Sequence, residues 1–409
     1  MITPNYLEKL LDGVEVEWKP LGEIAVKISS GGTPLTTISG YYNGDIPWLR
    51  TQEVNFGDIW ETEVKITEAG LKNSSAKLIP HNCVIVAMYG ATVGKIGINK
   101  IPLATNQACA NIELNNKIAN YKYVFHYLSS KYEHIKSLGT GSQTNINAQV
   151  VKNYLIPIPC PENPAKSLEI QAEIVRILDA FTELTAELTA ELTARKKQYE
   201  YYRDKLLTFE EGEVEWKALL EVTSLTSNIR WRDTSDTYQY IDLTSVCRDK
   251  NIIIETTEIS AGNAPSRAQK LVIKDDVIFA TTRPTQQRLC LITEEFSGEV
   301  ASTGYCILRA KEDEVLPKWI YYFITSSRFR KYVEENQSGS AYPAISDMKV
   351  KEFKIPVPPL KEQERIIFIL DKFEKLTTSI TEGLPREIEL RQKQYEYYRN
   401  MLLNFPKEA

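Results

Sequence analysis

Apolar side chains recur at helical spacing in a long segment after Pro164. Between residues 167 and 209 they fall three or four positions apart, at Ile170, Ile174, Ile177, Phe181, Leu184 and Leu188, which is the period of an amphipathic helix. No glycine or proline interrupts the segment, and Ser167 suits the N-cap position. At 1.5 Å per residue this helix would be about 60 Å long, too long to be buried in one small domain. We therefore expect it to pack against a partner helix.

A second helical pattern covers residues 360–376 and breaks at Gly383-Leu384-Pro385. Pro385 can begin the next helix at its first position. Elsewhere the pattern changes to short apolar runs bounded by turn residues, such as 83–87 and 276–280, which is typical of buried strands. The pattern predicts an α+β fold with two mixed, mostly β heads joined by two long antiparallel helices.

The chain contains an internal duplication. The segment Lys-Gln-Tyr-Glu-Tyr-Tyr-Arg at 197–203 recurs at 393–399, and Glu-Trp-Lys at 17–19 recurs at 215–217. A module of roughly 200 residues therefore occurs twice, a size suited to two domains rather than to a solenoid. The blocks 156–209 and 355–405 keep their identity, whereas the rest of each copy shares only fragments. We interpret this as one scaffold that carries two different reading surfaces.

The duplication also predicts the domain organisation. We expect a first head at 1–155 with a short N-terminal helical segment, a central helix at 156–210, a second head at 211–354 and a distal helix at 355–409. Residues 6–11 resemble the end of the shared block at 202–207. The two ends of the chain are therefore expected to meet and complete a pseudo-two-fold arrangement.

Composition and charge narrow the class of protein. The chain is 43% hydrophobic and 25% charged, with a net charge of −5, whereas isolated nucleic-acid-binding domains are usually basic. Either the acidic residues lie on long helices and protein-facing surfaces, or affinity for nucleic acid comes largely from partner subunits. No apolar run of membrane-spanning length and no signal-peptide pattern is seen, and the six scattered cysteines read as reduced core residues. We expect a cytoplasmic protein with no membrane partner.

Several segments together resemble a known family. These are the segment Glu-Val-Glu-Trp-Lys-Pro-Leu-Gly-Glu-Ile at 15–24, Ile-Pro-Ile-Pro at 156–159, the Thr-Ala-Glu-Leu run at 182–194 and Arg-Lys-Lys-Gln-Tyr at 195–199. With the two-copy layout, they resemble the specificity subunits of Type I restriction-modification systems, particularly the IC type. The resemblance implies two target-recognition domains that read a bipartite, asymmetric site in double-stranded DNA across an unspecified gap. The second copy lacks the tetrapeptide run, so the helix pair is not a perfect two-fold.

The resemblance also implies partners and cofactors. Two modification subunits would carry S-adenosylmethionine and the adenine-methylating site, and restriction/translocase subunits would use ATP and Mg²⁺. This chain is expected to bind no cofactor itself.

The tetrapeptide run has two interpretations. Alanine, glutamate and leucine are good helix formers, so the run could be helix and nothing more. Alternatively it is a spacer, because each repeat adds about 6 Å of helix and each base pair adds about 3.4 Å of DNA. A change in repeat number would then alter the target gap by one or two base pairs without changing the reading surfaces.

We expect polar loops in each head to contact DNA, since Asn and Gln suit adenine and Arg suits guanine. The candidates in the first head are Trp48, Arg50, Thr51, Thr92, Lys95, Ser142, Gln143, Thr144 and Asn145. The candidates in the second head are Asn263, Ser266, Arg267, Arg283, Gln286, Arg288, Ser340 and Tyr342. Lys95 follows Gly-Ala-Thr-Val-Gly without the Walker spacing, so it either meets a DNA phosphate or belongs to a plain hairpin turn.

The sequence predicts neither a catalytic nor a metal site. The Glu-x-Lys pattern at 17–19 and 215–217 reads as packing and surface positions, and the chain has only three histidines, too few to favour a metal cluster or a Ser-His-Asp set. We therefore expect a non-catalytic DNA-recognition subunit. The alternatives are a DNA enzyme acting alone and a non-catalytic adaptor with two ligand-binding heads on a coiled coil.

Overall fold

The computed structural model describes residues 6–139, 145–210, 212–339, 341–378 and 383–406. The chain forms two compact units. Unit 1 comprises Met1–Ala186 with Leu390–Ala409, and unit 2 comprises Glu187–Glu389. Each unit contains small sheets, short helices and parts of long helices, which confirms the predicted α+β class.

The described residues of unit 1 form three sheets. Its elements, up to the long helix that continues into unit 2, are α1 (Tyr6–Leu11), β1 (Val16–Pro20), α2 (Leu21–Ile24), β2 (Ala25–Ser30), β3 (Tyr42–Leu49), β4 (Asp58–Ile59), β5 (Lys65–Ile66), α3 (Glu68–Lys72), β6 (Leu78–Ile79), β7 (Val84–Ala87), β8 (Ile96–Asn99), β9 (Leu103–Thr105), β10 (Cys109–Leu114), α4 (Tyr121–Ser130), α5 (Tyr132–Ser137), α6 (Ala148–Lys152), β11 (Leu155–Pro159) and α7 (Pro164–Leu206). The strand orders are β2-β10-β7-β8-β4, β5-β3-β9-β6 and β1-β11.

Unit 2 repeats this plan with variations. Its elements, of which the last continues into unit 1, are β12 (Glu215–Ala218), α8 (Leu219–Val222), β13 (Thr223–Ser224), β14 (Tyr238–Ile241), β15 (Val246–Cys247), β16 (Ile252–Ile253), β17 (Thr257–Ile259), β18 (Ala268–Leu271), β19 (Val277–Ala280), β20 (Leu289–Leu291), β21 (Val300–Ser302), β22 (Tyr305–Ala310), α9 (Pro317–Thr325), α10 (Ser327–Asn336), α11 (Asp347–Lys351), β23 (Lys354–Val357), α12 (Leu360–Thr378) and α13 (Leu384–Leu402). The strand orders are β13-β22-β19-β20, β17-β14-β21-β18, β12-β23 and β15-β16.

The central strands are apolar at every position because both of their faces are buried. In β7, Val84 and Val86 belong to the core that contains α4, whereas Ile85 belongs to a second core with Leu49 and Leu103. Successive side chains of a strand point to opposite faces, so a strand covered on both sides reads as a continuous apolar run. The same holds for β19, whose side chains divide between two cores of unit 2.

The long helix α7 has 43 residues and begins at Pro164, four residues before the start that Ser167 as N-cap would give. The prediction of Ser167 as N-cap is wrong. The side chain of Asn163 accepts a hydrogen bond from the Lys166 N–H at 3.2 Å, while Ser167 is buried inside the helix and accepts one from Gln171 Nε2 at 3.1 Å. Pro385 is the second residue of α13, close to its predicted place.

The surface charge of α7 does not explain the acidic balance of the chain. The helix carries eight acidic and seven basic residues, so it is nearly neutral. The interpretation that long helices collect the excess acidic residues is therefore not supported for α7.

Equivalent contacts hold each head to its helix in the two units. Gln171 on α7 is fully buried, accepts a hydrogen bond from the Asn120 backbone N–H at 2.8 Å and donates one to the Ile118 carbonyl at 3.0 Å. Gln363 on α12 makes the same pair of bonds to the backbone before α9, at 3.0 and 2.9 Å. The internal repeat therefore extends to individual hydrogen bonds.

Candidate functional site

In unit 1 two turns that are far apart in sequence meet at the surface. One follows β3 and begins at Thr51, and the other joins β7 to β8. The Thr92 hydroxyl donates a hydrogen bond to the Thr51 carbonyl at 2.8 Å, and Lys95 Nζ donates one to Asn55 Oδ1 at 2.8 Å. The Lys95 ammonium also lies 5.9 Å from the centroid of the Phe56 ring. We call these five residues patch 1.

Lys95 lies at the base of a hairpin turn, as one of its two sequence interpretations predicted. The Gly94 N–H donates to the Ala87 carbonyl at 2.8 Å, and the Ala87 N–H donates to the Lys95 carbonyl at 2.9 Å. Gly90 and Gly94 both have φ of +81°, a conformation that glycine adopts without steric cost. The turn directs a polar segment to the surface, and the phosphate contact of Lys95 stays a prediction.

Two candidates beside patch 1 are engaged within the protein. Trp48 is 5% exposed, and its indole N–H donates to the Gly32 carbonyl at 3.0 Å. Trp48 therefore belongs to the core, and we remove it from the candidate DNA contacts. The Arg50 guanidinium pairs with Glu53 and Glu63. It could contact a DNA base only after leaving these two carboxylates.

The second polar loop of the first head lies only partly within the described residues, since Ser142, Gln143 and Thr144 fall outside them. The backbone N–H of Ile146 donates to the Met88 carbonyl at 3.0 Å. This bond brings Asn145 close to the turn that contains Thr92. Within the described chain, the buried Asn145 Oδ1 has no hydrogen-bond partner.

In unit 2 two predicted residues come together across 59 positions of sequence. The Arg283 guanidinium lies 5.5 Å from the ring centroid of Tyr342, and the Arg283 N–H donates to the Pro343 carbonyl at 2.7 Å. Tyr342 is 74% exposed. Arg283 has φ of +50°, an uncommon conformation for a residue with a side chain. Thr285 is exposed on the turn that directly follows Arg283. We call Arg283, Thr285 and Tyr342 patch 2.

Two other candidates in unit 2, Arg288 and Asn263, form hydrogen bonds within that unit. Arg288 donates from Nη1 to the Val246 carbonyl at 2.7 Å and from Nε to Gln286 Oε1 at 3.5 Å, so this arginine supports a loop. Asn263 Oδ1 accepts the Ser260 N–H at 2.6 Å, which closes a turn. Ser340 lies outside the described residues.

Ser266 and Arg267 are exposed on a loop beside patch 2. The Thr303 N–H donates to the Arg267 carbonyl, and the Thr281 N–H donates to the Gly304 carbonyl, each at 2.8 Å. The loop of Arg267 and the loop of Arg283 therefore both adjoin the turn at residues 303–304.

The two patches occupy equivalent places in the two heads. In unit 1 the loop after β7 meets the segment before α6 through the bond from Ile146 to Met88, at 3.0 Å. In unit 2 the loop after β19 meets the segment before α11 through the bond from Ile345 to Thr281, at 2.9 Å. The same frame therefore presents a Lys-Thr-Asn-Phe surface in one unit and an Arg-Thr-Tyr surface in the other.

Sequence reasoning missed two residues of patch 1 and one residue beside it. Asn55 bonds Lys95, and two aromatic rings are more than a third exposed, those of Phe56 and Tyr89. An apolar residue in a loop reads as core from sequence alone. The signal available was the neighbouring glycine in each case, Phe56-Gly57 and Tyr89-Gly90, which marks a turn.

Four of the cysteines are buried and unsuited to nucleophilic chemistry. Burial raises the pKa of Cys83, Cys109, Cys290 and Cys306 to about 12, so these thiols are protonated at neutral pH and poor nucleophiles. In the described part of the chain, no group of three or more His, Cys, Asp or Glu side chains could hold a metal ion. No described helix is both long and apolar enough to cross a membrane.

The family model and the similar proteins point to the same family. Residues 13–195 and 223–390 match the family model described as the Type I restriction modification DNA specificity domain. The chain is 36% identical over 426 residues to the Type I restriction enzyme EcoR124I/EcoR124II specificity subunit of Escherichia coli, covering 98% of each chain. It is 32% identical over 422 residues to the putative type I restriction enzyme specificity subunit S.HindORF215P of Haemophilus influenzae, again covering 98% of each.

Solved structures share the fold. The crystal structure of the Type-I restriction-modification system S subunit from M. genitalium matches with a TM-score of 0.54 at 15% identity, over 97% of this chain and 98% of that one. A second match is a chain from a structure described as the structural basis of complex assembly and conformational transition of the type I R-M system. Its TM-score is 0.63 at 16% identity, over 95% of this chain and 97% of that one.

Proposed function

Because the chain belongs to the family of Type I restriction-modification DNA specificity subunits, whose members are non-catalytic DNA-recognition components, we propose that its two units read two different half-sites of one bipartite, asymmetric DNA sequence. The observation that carries this proposal is the equivalent placement of patches 1 and 2, which have different side chains on the same frame. Equivalent placement supports one way of approaching DNA, and different chemistry supports two different base sequences.

Each patch has groups suited to nucleic acid. The Lys95 ammonium is a point charge suited to a phosphate oxygen, which positions a protein on DNA without reading sequence. The Arg283 guanidinium can donate two hydrogen bonds to O6 and N7 of a guanine in the major groove. Tyr342 supports the guanidinium from one side through its ring face, which limits the directions in which Arg283 can point. Arg283 is therefore the side chain to which we assign base recognition in unit 2.

Repeated exposed tyrosines support docking of equivalent partners. Tyr201 on α7 and Tyr397 on α13 occupy the same position of the duplicated heptapeptide, and they are 63% and 58% exposed. Aromatic side chains are enriched at protein interfaces, and equivalent surfaces suit equivalent subunits. We propose that two modification subunits dock at these helices in the cytoplasm and carry S-adenosylmethionine, and that restriction/translocase subunits add ATP and Mg²⁺ chemistry.

The test is the methylation pattern of genomic DNA from cells that express this chain with a modification subunit. We expect methyl-adenine at one bipartite motif, lost when the chain is deleted. Arg283→Ala should relax or change one half-site and leave the other intact. Arg195→Ala, which removes an exposed arginine from α7, is the matched control and should leave the motif unchanged. If no motif depends on this chain despite an active modification subunit, the chain is an adaptor and not a DNA reader.

A further inference from the structure

In unit 1 the helix α5 packs directly against the turn of patch 1. Gly94, the residue before Lys95, allows this close approach, because a Cβ atom at Gly94 would lie 3.3 Å from Tyr132 Cε2 and 3.4 Å from Lys136 Cβ. The contact brings Tyr132 and Lys136 of α5 to the edge of patch 1. Neither residue was among the DNA contacts predicted from the sequence.

Two aromatic rings connect Lys95 of patch 1 to Lys136 of α5. The rings of Phe56 and Tyr132 meet edge to face, with their centroids 5.1 Å apart and their planes at 90°. Lys95 Nζ lies 5.9 Å from the Phe56 centroid, and Lys136 Nζ lies 5.6 Å from the Tyr132 centroid. Phe56 is 38% exposed, and Lys136 is also exposed. We call these four residues the lysine–aromatic row.

The two ammonium groups of the row keep their positive charge. Among the described residues, neither Lys95 nor Lys136 forms an ion pair with a carboxylate, and Lys95 donates to an amide oxygen instead. Glu133 is the one acidic residue of α5, and its carboxylate is not paired with Lys136. By contrast, the exposed Lys72 of the same unit pairs with Glu68 at 3.6 Å. The row therefore attracts anions.

The aromatic rings also restrict the two lysine side chains. An ammonium group is attracted to the face of an aromatic ring, so Lys95 and Lys136 are partly ordered before any ligand binds. Ordering a long side chain at an interface costs free energy, and this cost is reduced when the side chain is already held. Ordered ammonium groups without a counter-charge suit the phosphate oxygens of DNA, which position a protein on the duplex.

We propose that Lys136 binds a second phosphate of the DNA backbone, next to the phosphate that Lys95 binds. The DNA contact of unit 1 then continues from patch 1 along the lysine–aromatic row onto α5. This inference rests on the proposed function, because patch 1 has to face DNA. Two rings separate the two lysines, so they bind different phosphates. Lys136 reads no base and acts as a positioning residue.

The test is binding of this chain, assembled with its modification subunits, to duplexes that carry the methylated motif. In each duplex one phosphate is replaced by a neutral methylphosphonate. One such position should weaken binding of the parent complex roughly fivefold, the size of one phosphate contact at physiological salt, and should not weaken binding of the Lys136→Gln complex further. Lys95→Gln should show the same loss of sensitivity at a different position. Lys136→Gln should also lower the slope of log K against log salt by about 1.

Two further variants serve as controls. Lys136→Arg keeps the charge and should retain most of the affinity and the full salt slope. Lys372→Gln is the matched control, because Lys372 is also an exposed lysine whose ammonium lies over an aromatic ring, that of Phe368 at 4.2 Å. Lys372 belongs to α12 in unit 2, outside the row, and its replacement should leave DNA affinity and the salt slope unchanged.

Three results would overturn the proposal. The first is an unchanged salt slope for Lys136→Gln, with every methylphosphonate position as sensitive as in the parent complex. If methylation of the motif still depends on the chain, this result removes the role of Lys136 and leaves the proposed function in place. The second is weaker assembly of the Lys136→Gln chain with modification subunits at unchanged DNA contacts, which would make the row a protein interface. The third is a changed motif, which would make Lys136 a base reader.

Discussion

The guanidinium of Arg309 donates two hydrogen bonds to the carboxylate of Asp276, from Nε to Oδ1 at 2.8 Å and from Nη2 to Oδ2 at 2.7 Å. Asp276 is fully buried, and its Oδ2 also accepts the Ile273 N–H at 2.9 Å. The pair joins β22 to the residue before β19 in the centre of unit 2. A buried carboxylate therefore depends on one arginine for its counter-charge.

Replacing Arg309 by leucine should destabilise unit 2 strongly. Loss of one partner of a buried ion pair costs about 3–5 kcal/mol, which for a unit of this size lowers the midpoint of thermal unfolding by on the order of 10 °C. Calorimetry of the full chain should show the shift. The double variant Asp276→Val with Arg309→Leu should recover part of the loss, because it removes the buried charge. A double variant no more stable than the single one would contradict this account.

Glu374 should give unit 2 a pH dependence of stability that one substitution removes. Burial raises the pKa of Glu374, although hydrogen bonds from the Tyr321 and Tyr322 hydroxyls, at 2.7 and 3.1 Å, act in the opposite direction. The folded chain then binds the proton more tightly than the unfolded chain. This contribution to stability is full below the ordinary pKa of 4.5 and is lost as the pH rises through the raised pKa.

Glu374→Gln should therefore gain thermal stability relative to the parent chain as the pH rises from about 4.5 to 7. The quantity to measure is the difference between the two unfolding midpoints at each pH. A lost hydrogen bond shifts this difference equally at every pH, whereas the titration of Glu374 makes it change with pH. Glu334→Gln, an exposed position on α10, is the control and should show a flat difference. A flat difference for Glu374→Gln as well would refute the prediction.

Lys95→Gln should weaken binding of the assembled complex to all DNA sequences alike. Loss of one phosphate contact lowers the slope of log K against log salt by about 1, while the preferred motif stays the same. Fluorescence titrations between low and physiological salt would measure the slope. Lys72→Gln, which removes an exposed lysine from α3, should leave it unchanged. A change of motif would instead assign base recognition to Lys95.

Deleting residues 185–188 should shorten the preferred gap between the half-sites and leave both half-sites the same. The tetrapeptide run lies inside α7, where the hydroxyls of Thr185 and Thr193 each donate to the carbonyl four residues earlier, at 2.8 and 2.9 Å. Removing four residues shortens this helix by about 6 Å. Motif mapping by methyl-adenine sequencing measures the gap. The control is Glu187→Gln, which keeps the length, and an unchanged gap after the deletion would refute the spacer hypothesis.

Much of the frame is predictable because it follows from local periodicity. The long helix was predicted from a stripe of apolar residues, but both of its ends were misplaced, since it begins at Pro164 and ends at Leu206. Asn163 and Pro164 supply an N-cap and a first-position proline, a stronger start signal than Ser167. The central strands β7 and β19 were predicted because their runs are apolar and their flanks are turns.

The candidate site was less predictable because it depends on contacts between distant residues. Trp48 belongs to a polar stretch in sequence, but the strand directs its ring into the core. Arg283 and Tyr342 were both predicted, yet their pairing depends on a bridge between Thr282 and Ala344. Long-range pairing of this kind leaves no local pattern.

The hydrogen bonds of Gln171 and Gln363 to the heads have a consequence for evolution. Both amides bond main-chain atoms of the head, so the attachment does not depend on which side chains the head carries. Recombination could bring in a foreign gene segment that encodes a whole head. The new head would still bind the glutamine of the helix through its main chain. New sequence preferences could therefore arise in a single genetic exchange, without a series of unstable intermediates.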